Sequence, residues 1–221
     1  DGRAEVYAQS VRLDGEGGDI VARAGHDTIS YRLAMPGRHI AENSLAAVAA
    51  LQAIGADISK AVEALAALPP PPGRGARSLL KAAGGHILLI DESYNANPAS
   101  MRAALATLSG VSRLKYARKI AVLGDMLELG AAARELHRGL LDAVMTACVD
   151  QLFVCGPHMK SLYDAAPAAI KGGYAETAEG LTDLVAGALR AGDAVMVKAS
   201  NGTRLGVLTA ALRGRFAVEG T

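Results

Sequence analysis

Between Ile90 and Pro98 the chain reads Ile90-Asp91-Glu92-Ser93-Tyr94-Asn95-Ala96-Asn97-Pro98, a stretch that crowds two carboxylates, a tyrosine and two asparagines behind an apolar run. Adjacent acids at the carboxyl end of a strand suit ribose hydroxyls, and the exposed N–H groups at the start of a following helix suit phosphates. Asn97 followed by Pro98 also reads simply as a helix cap and first helical residue. Capping alone leaves Glu92, Tyr94 and Asn95 without a task, and these three are the candidates for ligand contact. A second polar turn follows Ala194-Val195-Met196-Val197, where Lys198 is the only charge closing the run and Ala199-Ser200-Asn201-Gly202 comes next. Lys198 reads as an anion or carboxylate contact, or equally as a lysine extending from a strand end to solvent. Arg74, between Gly73 and Gly75, reads as a phosphate contact or as an exposed hinge arginine.

Other chemistries lack their residues. There is no GxxxxGK[ST] loop and no GxGxxG between a strand and a helix, so neither a self-contained NTPase nor a dinucleotide oxidoreductase is supported. No HExxH, GxSxG or CxxC occurs, and no metal site is expected. His26, His86, His137 and His158 stand apart and read as surface or packing residues, whereas His39, opening a helix after Gly37-Arg38, is placed to meet a ligand. Cys148 and Cys155 are seven apart, too few and wrongly spaced for a disulfide scaffold or zinc knuckle, and read as buried thiols.

The elements that position these residues fall into two parts. Residues 4–13, 19–24 and 28–34 are short runs separated by Gly-rich turns, which predicts an antiparallel meander with one wet face. Ala- and Leu-rich segments of helical spacing between about 40 and 67 predict two packed helices. The run Pro69-Pro70-Pro71-Pro72-Gly73 favours a stiff extended spacer and marks a domain boundary. Beyond it, apolar strands at 86–91, 119–124, 151–155 and 194–198 alternate with helices from 98, at about 131–147, near 157–165, near 177–190 and from about 203. That alternation predicts an α/β fold, a Rossmann-like and mostly parallel sheet covered on both faces.

The 221 residues carry 23 Lys and Arg against 22 Asp and Glu, a net charge of +1 that gives nucleic acid or an anionic membrane little to hold. The charge divides unevenly, with six basic and nine acidic residues in 1–71 and 17 and 13 in 72–221, so the second part mildly favours anions. No run reaches the roughly 18 apolar residues of a membrane span. With no signal segment at the start, the expected address is cytoplasmic. The chain opens at Asp1 and enters a strand almost at once, which reads as a fragment.

Four blocks together resemble the Mur ligase family. They are Gly37-Arg38-His39 with Asn43 and Ala46-Ala47; Asp91 to Pro98; Ala121-Val122-Leu123-Gly124-Asp125-Met126-Leu127-Glu128-Leu129-Gly130 with His137; and Val197-Lys198-Ala199-Ser200-Asn201-Gly202. The first is shared across the family, whereas the second and third are specific to the member that joins D-alanyl-D-alanine to a UDP-N-acetylmuramoyl-tripeptide. The resemblance implies an ATP-dependent amide-forming ligase of peptidoglycan precursor synthesis that works through an acyl phosphate. Residues 1–71 would then be the end of its central ATP-binding domain and 72–221 its C-terminal Rossmann-like domain. The P-loop and Mg2+ ligands would lie upstream, leaving this piece inactive alone, and the whole protein would be a cytoplasmic monomer. Position by position, Asn43 resembles the adenine-contacting asparagine, Arg74 an arginine reaching the ATP phosphates and Glu92 the acid that contacts the ribose, with Tyr94 and Asn95 on the same ATP side. Lys198, Ser200 and Asn201 match the segment facing the incoming amino-acid substrate, and Asn97 is grouped with them. Two positions depart from the pattern: Ile40 replaces an asparagine found in many relatives, and Glu92 is one methylene longer than the more usual aspartate. Two further readings are a free-standing, non-catalytic α/β nucleotide-binding module, and a sibling ligase or folylpolyglutamate synthetase.

Overall fold

The computed structural model describes residues 4–14, 17–35, 37–68 and 73–218. The chain divides into two compact units, Asp1–Pro70 and Pro71–Thr221. Pro69 to Pro72, the expected spacer, lie outside the described residues.

In the first unit, β1 (Val6–Leu13), β2 (Gly18–Ala24) and β3 (Asp27–Leu33) form the antiparallel meander, and α1 (Arg38–Ala53) and α2 (Ile58–Ala67) follow. The alternation of β2 sends Ile20, Ala22 and Ala24 into one buried face, where Tyr31, Leu33, Ala41, Val48 and Val62 join them. Asp57 caps α2 by accepting from the Ser59 and Lys60 amides.

The second unit runs β4 (Ala76–Ala82), β5 (Gly85–Glu92), α3 (Pro98–Ser109), β6 (Arg118–Gly124), α4 (Ala133–Arg138), α5 (Leu141–Thr146), β7 (Gln151–Cys155), α6 (Lys160–Ala165), β8 (Lys171–Ala175), α7 (Ala178–Ala188), β9 (Asp193–Lys198) and α8 (Leu205–Phe216). Its sheet has the order β4-β5-β9-β6-β7-β8. All neighbours are parallel except the edge strand β4, which is antiparallel to β5. One face is covered by α3, α5 and α6 around Leu88, Ile90, Met101, Leu105 and Met196. The other is covered by α7 and α8 around Leu89, Phe153, Leu181, Val195 and Leu208.

Three expectations need correction. The edge strands β4 and β8 do not stand out in the sequence because neither is an apolar run. β4 carries Arg77, Ser78 and Lys81 with only Leu80 fully buried, and β8 contains Gly172, where a Cβ would meet the Phe153 ring at 2.6 Å. The single helix expected at about 131–147 is two short helices broken at Gly139, preceded by a 3-10 turn at Gly130–Ala132. Finally, Cys148 is exposed, because it sits with φ 51 in the turn after α5 rather than in the core. Cys155 is buried as expected at the end of β7, and burial pushes its thiol up to about 11. Among the described residues no helix is long and apolar enough to cross a membrane.

Candidate functional site

The topological switch point of the second unit lies where β9, arriving last in the chain, inserts between β5 and β6. From their carboxyl ends β5 leads to α3 on one face of the sheet and β9 leads to α8 on the other, so the two polar turns diverge there. Divergence of this kind is where open α/β sheets hold ligands.

Period-2 alternation sorts the two acids. Asp91 faces α8, where its Oδ2 accepts from Arg213 at 3.0 Å while its Oδ1 accepts from the Ser93 amide and hydroxyl. All of these partners are internal, so Asp91 shapes the turn. Glu92 faces the α3 side, and the parallel register sets it opposite Lys198. The Lys198 Nζ lies 3.6 Å from Glu92 Oε2 and donates to the Asn95 carbonyl at 2.9 Å. Lys198 is only 3% exposed; burial pushes its ammonium below the usual lysine range, with the Glu92 charge pulling the other way. Glu92 keeps 19% of its side chain exposed, and its Oε1 lies where a Cβ on Gly75 would approach to 3.3 Å.

Beside Glu92, the guanidinium of the exposed Arg74 lies 4.5 Å over the Tyr94 ring centroid. The structure therefore brings Arg74, Glu92, Tyr94, Asn95 and Lys198 to one rim. Asn95 is exposed, with its side-chain oxygen accepting from the Ala96 amide. Asn97 accepts from the Ser100 amide, and Ser100 Oγ accepts from the Asn97 amide in a reciprocal cap of α3. Its side-chain oxygen is thus occupied. Ser200 is buried, accepting from the Leu127 amide at 3.0 Å and donating to the Ala96 carbonyl at 3.3 Å, whereas Asn201 is exposed. Asn43 and His39 belong to the first unit, on α1; Asn43 is exposed and His39 half-buried. An acid with a reachable oxygen beside a guanidinium offers acceptors for sugar hydroxyls and a planar donor set for phosphate oxygens. Among the described residues no three His, Cys, Asp or Glu side chains gather to hold a metal ion.

The rim also holds residues whose roles sequence reasoning missed. Asp125, after β6, is buried and accepts from the His158 amide at 3.2 Å and the Met159 amide at 2.7 Å, tying the turn after β7 to β6. His137 Nε2 accepts from the Met126 amide at 2.8 Å. A backbone N–H can only donate, so Nδ1 carries the proton and donates to Ala133 O. Glu128 and Arg204 take positive φ, 65 and 58, in the turns after β6 and β9 without being glycine. Their residue types give no sign of that conformation. Strain of this kind costs about 1–3 kcal/mol and gathers at ligand clamps.

His137 carries a pH prediction. Burial pushes its imidazolium below the usual range, more than Asp125 at 3.8 Å can offset. The unfolded chain takes up a proton near pH 6.5 that the folded chain refuses. Stability is therefore full above that pH and falls below it, by at most about 1.4 kcal/mol per pH unit. Urea midpoints at pH 7.5 and 5.5 should show a drop that shrinks in His137→Gln; an equal drop in both would refute the assignment.

A family model for the Mur ligase, glutamate ligase domain matches residues 76–201. The UDP-N-acetylmuramoyl-tripeptide–D-alanyl-D-alanine ligase of Mycobacterium tuberculosis is 32% identical over 96% of this chain and 45% of its own length. Its Escherichia coli counterpart is 30% identical over 73% of this chain and 34% of its own. A crystal structure of MurF from Acinetobacter baumannii superposes with a TM-score of 0.81 at 25% identity, covering 96% of this chain and 46% of that one. The fold also matches Thermotoga maritima MurF in complex with ADP, at a TM-score of 0.75, 21% identity, and 96% and 47% coverage. The chain thus covers between 34% and 47% of the length of these relatives.

Proposed function

This chain belongs to the Mur ligase family, and from that premise we propose that it is the C-terminal half of an ATP-dependent ligase joining D-alanyl-D-alanine to UDP-N-acetylmuramoyl-tripeptide. The observation that carries the reading is the match to ligases of that name across 96% of the chain. The rim geometry is compatible with its nucleotide side.

In the proposed reaction the terminal carboxylate of the tripeptide takes the γ-phosphoryl group of ATP, and ADP leaves. The amine of D-alanyl-D-alanine then attacks the acyl carbon through a tetrahedral intermediate, losing a proton as phosphate departs. Catalysis of this kind rests on positioning and charge stabilisation. Arg74 is assigned to the phosphates and Glu92 to the ribose, with Tyr94 and Asn95 shaping that side and Asn43 of the first unit assigned to adenine. Asn201 is the exposed polar group assigned to the incoming amine substrate. Lys198, Ser200 and Asn97 reach this region chiefly through bonds within the chain. Mg2+ would accompany ATP on ligands assigned upstream of Asp1. The reading places the protein in the cytoplasm, as a monomer, and the 221-residue piece is proposed to be inactive alone.

The test is phosphate release by the full-length protein given ATP, the UDP-linked tripeptide and D-alanyl-D-alanine. The expected result is release that needs all three, with a product heavier by the dipeptide less water. Release driven by a different amino acid would favour a sibling ligase. Nucleotide binding without turnover would favour the free-standing module.

A further inference from the structure

Consecutive carbonyls of the turn after β5 are held by the last residue of β9 and, two residues on, by the turn that follows it. The Lys198 ammonium donates to Asn95 O at 2.9 Å, and the Ser200 hydroxyl donates to Ala96 O at 3.3 Å. Ser200 is in turn fixed by the Leu127 amide and, through its own amide, by the Asp125 carbonyl. The acid-bearing turn is therefore fastened along its length to β9. Lys198 also faces Glu92 across the strand pair, its Nζ 3.6 Å from Oε2. With 3% of its side chain exposed, one N–H given to the Asn95 carbonyl and its charge beside Glu92, Lys198 presents little to a substrate, whereas Glu92 remains reachable.

We propose that Lys198 is a positioning residue for the nucleotide-facing Glu92, holding its carboxylate and its turn in the binding pose, rather than a contact for the amine substrate. This rests on the nucleotide reading above. A glutamate has more rotamer freedom to lose than an aspartate, so an unheld Glu92 surrenders more entropy when it meets a hydroxyl. The Lys198 charge beside one oxygen limits that freedom before the ligand arrives.

The experiment is a double-mutant cycle in the full-length protein, reading ADP affinity by calorimetry and the KM for D-alanyl-D-alanine by phosphate release. Lys198→Met keeps an unbranched chain but leaves Glu92 without its charge partner and Asn95 O without its donor, so circular dichroism checks the fold of each variant. It should weaken ADP about tenfold while the dipeptide KM stays within about twofold. Glu92→Gln should weaken ADP to a similar extent, and the double variant should be no weaker than the weaker single one. Losses that add, or a dipeptide KM that rises while ADP affinity holds, would overturn the proposal. Lys198→Gln keeps a donor for Asn95 O but no charge for Glu92, and gives the same reading if methionine unfolds the protein. Failure of the unaltered protein to bind ADP would overturn the nucleotide reading along with this one. ADP binding that the Lys198 variants leave intact overturns this one alone.

Discussion

If the full-length protein is the proposed ligase and Arg74 faces its phosphates, Arg74→Ala is expected to lower kcat by about 10²–10³-fold, the usual cost of removing a donor aimed at charge that develops in the transition state. The geometry is the reason for expecting so large an effect from so exposed a side chain. Gly73 and Gly75 on either side have φ 69 and 86, and each docks on the end of β5: Tyr94 donates its amide to Gly73 O at 3.1 Å, and the Gly75 amide donates to Asp91 O at 2.8 Å. A Cβ on Gly73 would meet the Tyr94 amide nitrogen at 3.0 Å, so the segment fits only without a side chain there. Between these two anchors the guanidinium rests on the Tyr94 ring. The stack contributes only about 0.5–1 kcal/mol at an exposed site, but it fixes the plane in which the five donors point. Arg74→Lys retains the charge and loses the plane, and should fall between the parent and the alanine variant. The assay is dipeptide-dependent phosphate release at saturating ATP, with circular dichroism to confirm folding. A kcat within about threefold of the parent would remove Arg74 from the phosphate side.

The chemistry-bearing residues were legible because they interrupt strong apolar runs. Ile87 to Ile90 and Ala194 to Val197 are buried strands on both faces, and the polar turns after them could only lie at the carboxyl rim. What the sequence did not disclose is that these two turns are neighbours. Glu92 and Lys198 are far apart in the chain and meet because β9 enters between β5 and β6. Strand order is a tertiary property that periodicity does not encode. The same limit applies at the edges, where β4 and β8 need to be apolar on one side at most, and to Asp125, whose acceptors serve backbone amides of another strand's turn. The distinction between Asp91 and Glu92 is recoverable in principle from period-2 alternation, but only once the faces covered by α3 and α8 are known.

The Asp125 arrangement carries the largest expected effect on stability, through Gly156→Ala. Gly156 follows β7 with φ 105, a conformation that L side chains rarely adopt, and donates its amide to Ala175 O at 3.0 Å. A Cβ there would lie 2.5 Å from Asp125 Cγ and 2.6 and 2.7 Å from the two carboxylate oxygens. Those atoms are not the loose end of a flexible chain. Each oxygen accepts from a backbone amide at the start of the α6 segment, and the side chain is buried. Rotating the carboxylate away would leave the His158 and Met159 amides unpaired, so backbone strain and overpacking act together, at about 1–3 kcal/mol each. A combined loss of about 2–6 kcal/mol is a large part of a typical domain's 5–15 kcal/mol and should lower Tm by roughly 10 °C. Gly214→Ala is the control for sign. It lies inside α8 with nothing within 4 Å of a new Cβ, and should instead stabilise by about 0.5–1 kcal/mol. Thermal melts of both variants separate the two cases, and a Gly156→Ala protein within about 1 kcal/mol of the parent would mean that the turn after β7 can yield. That outcome would also remove the reason for a buried carboxylate at Asp125, because its work is to hold that turn in one place.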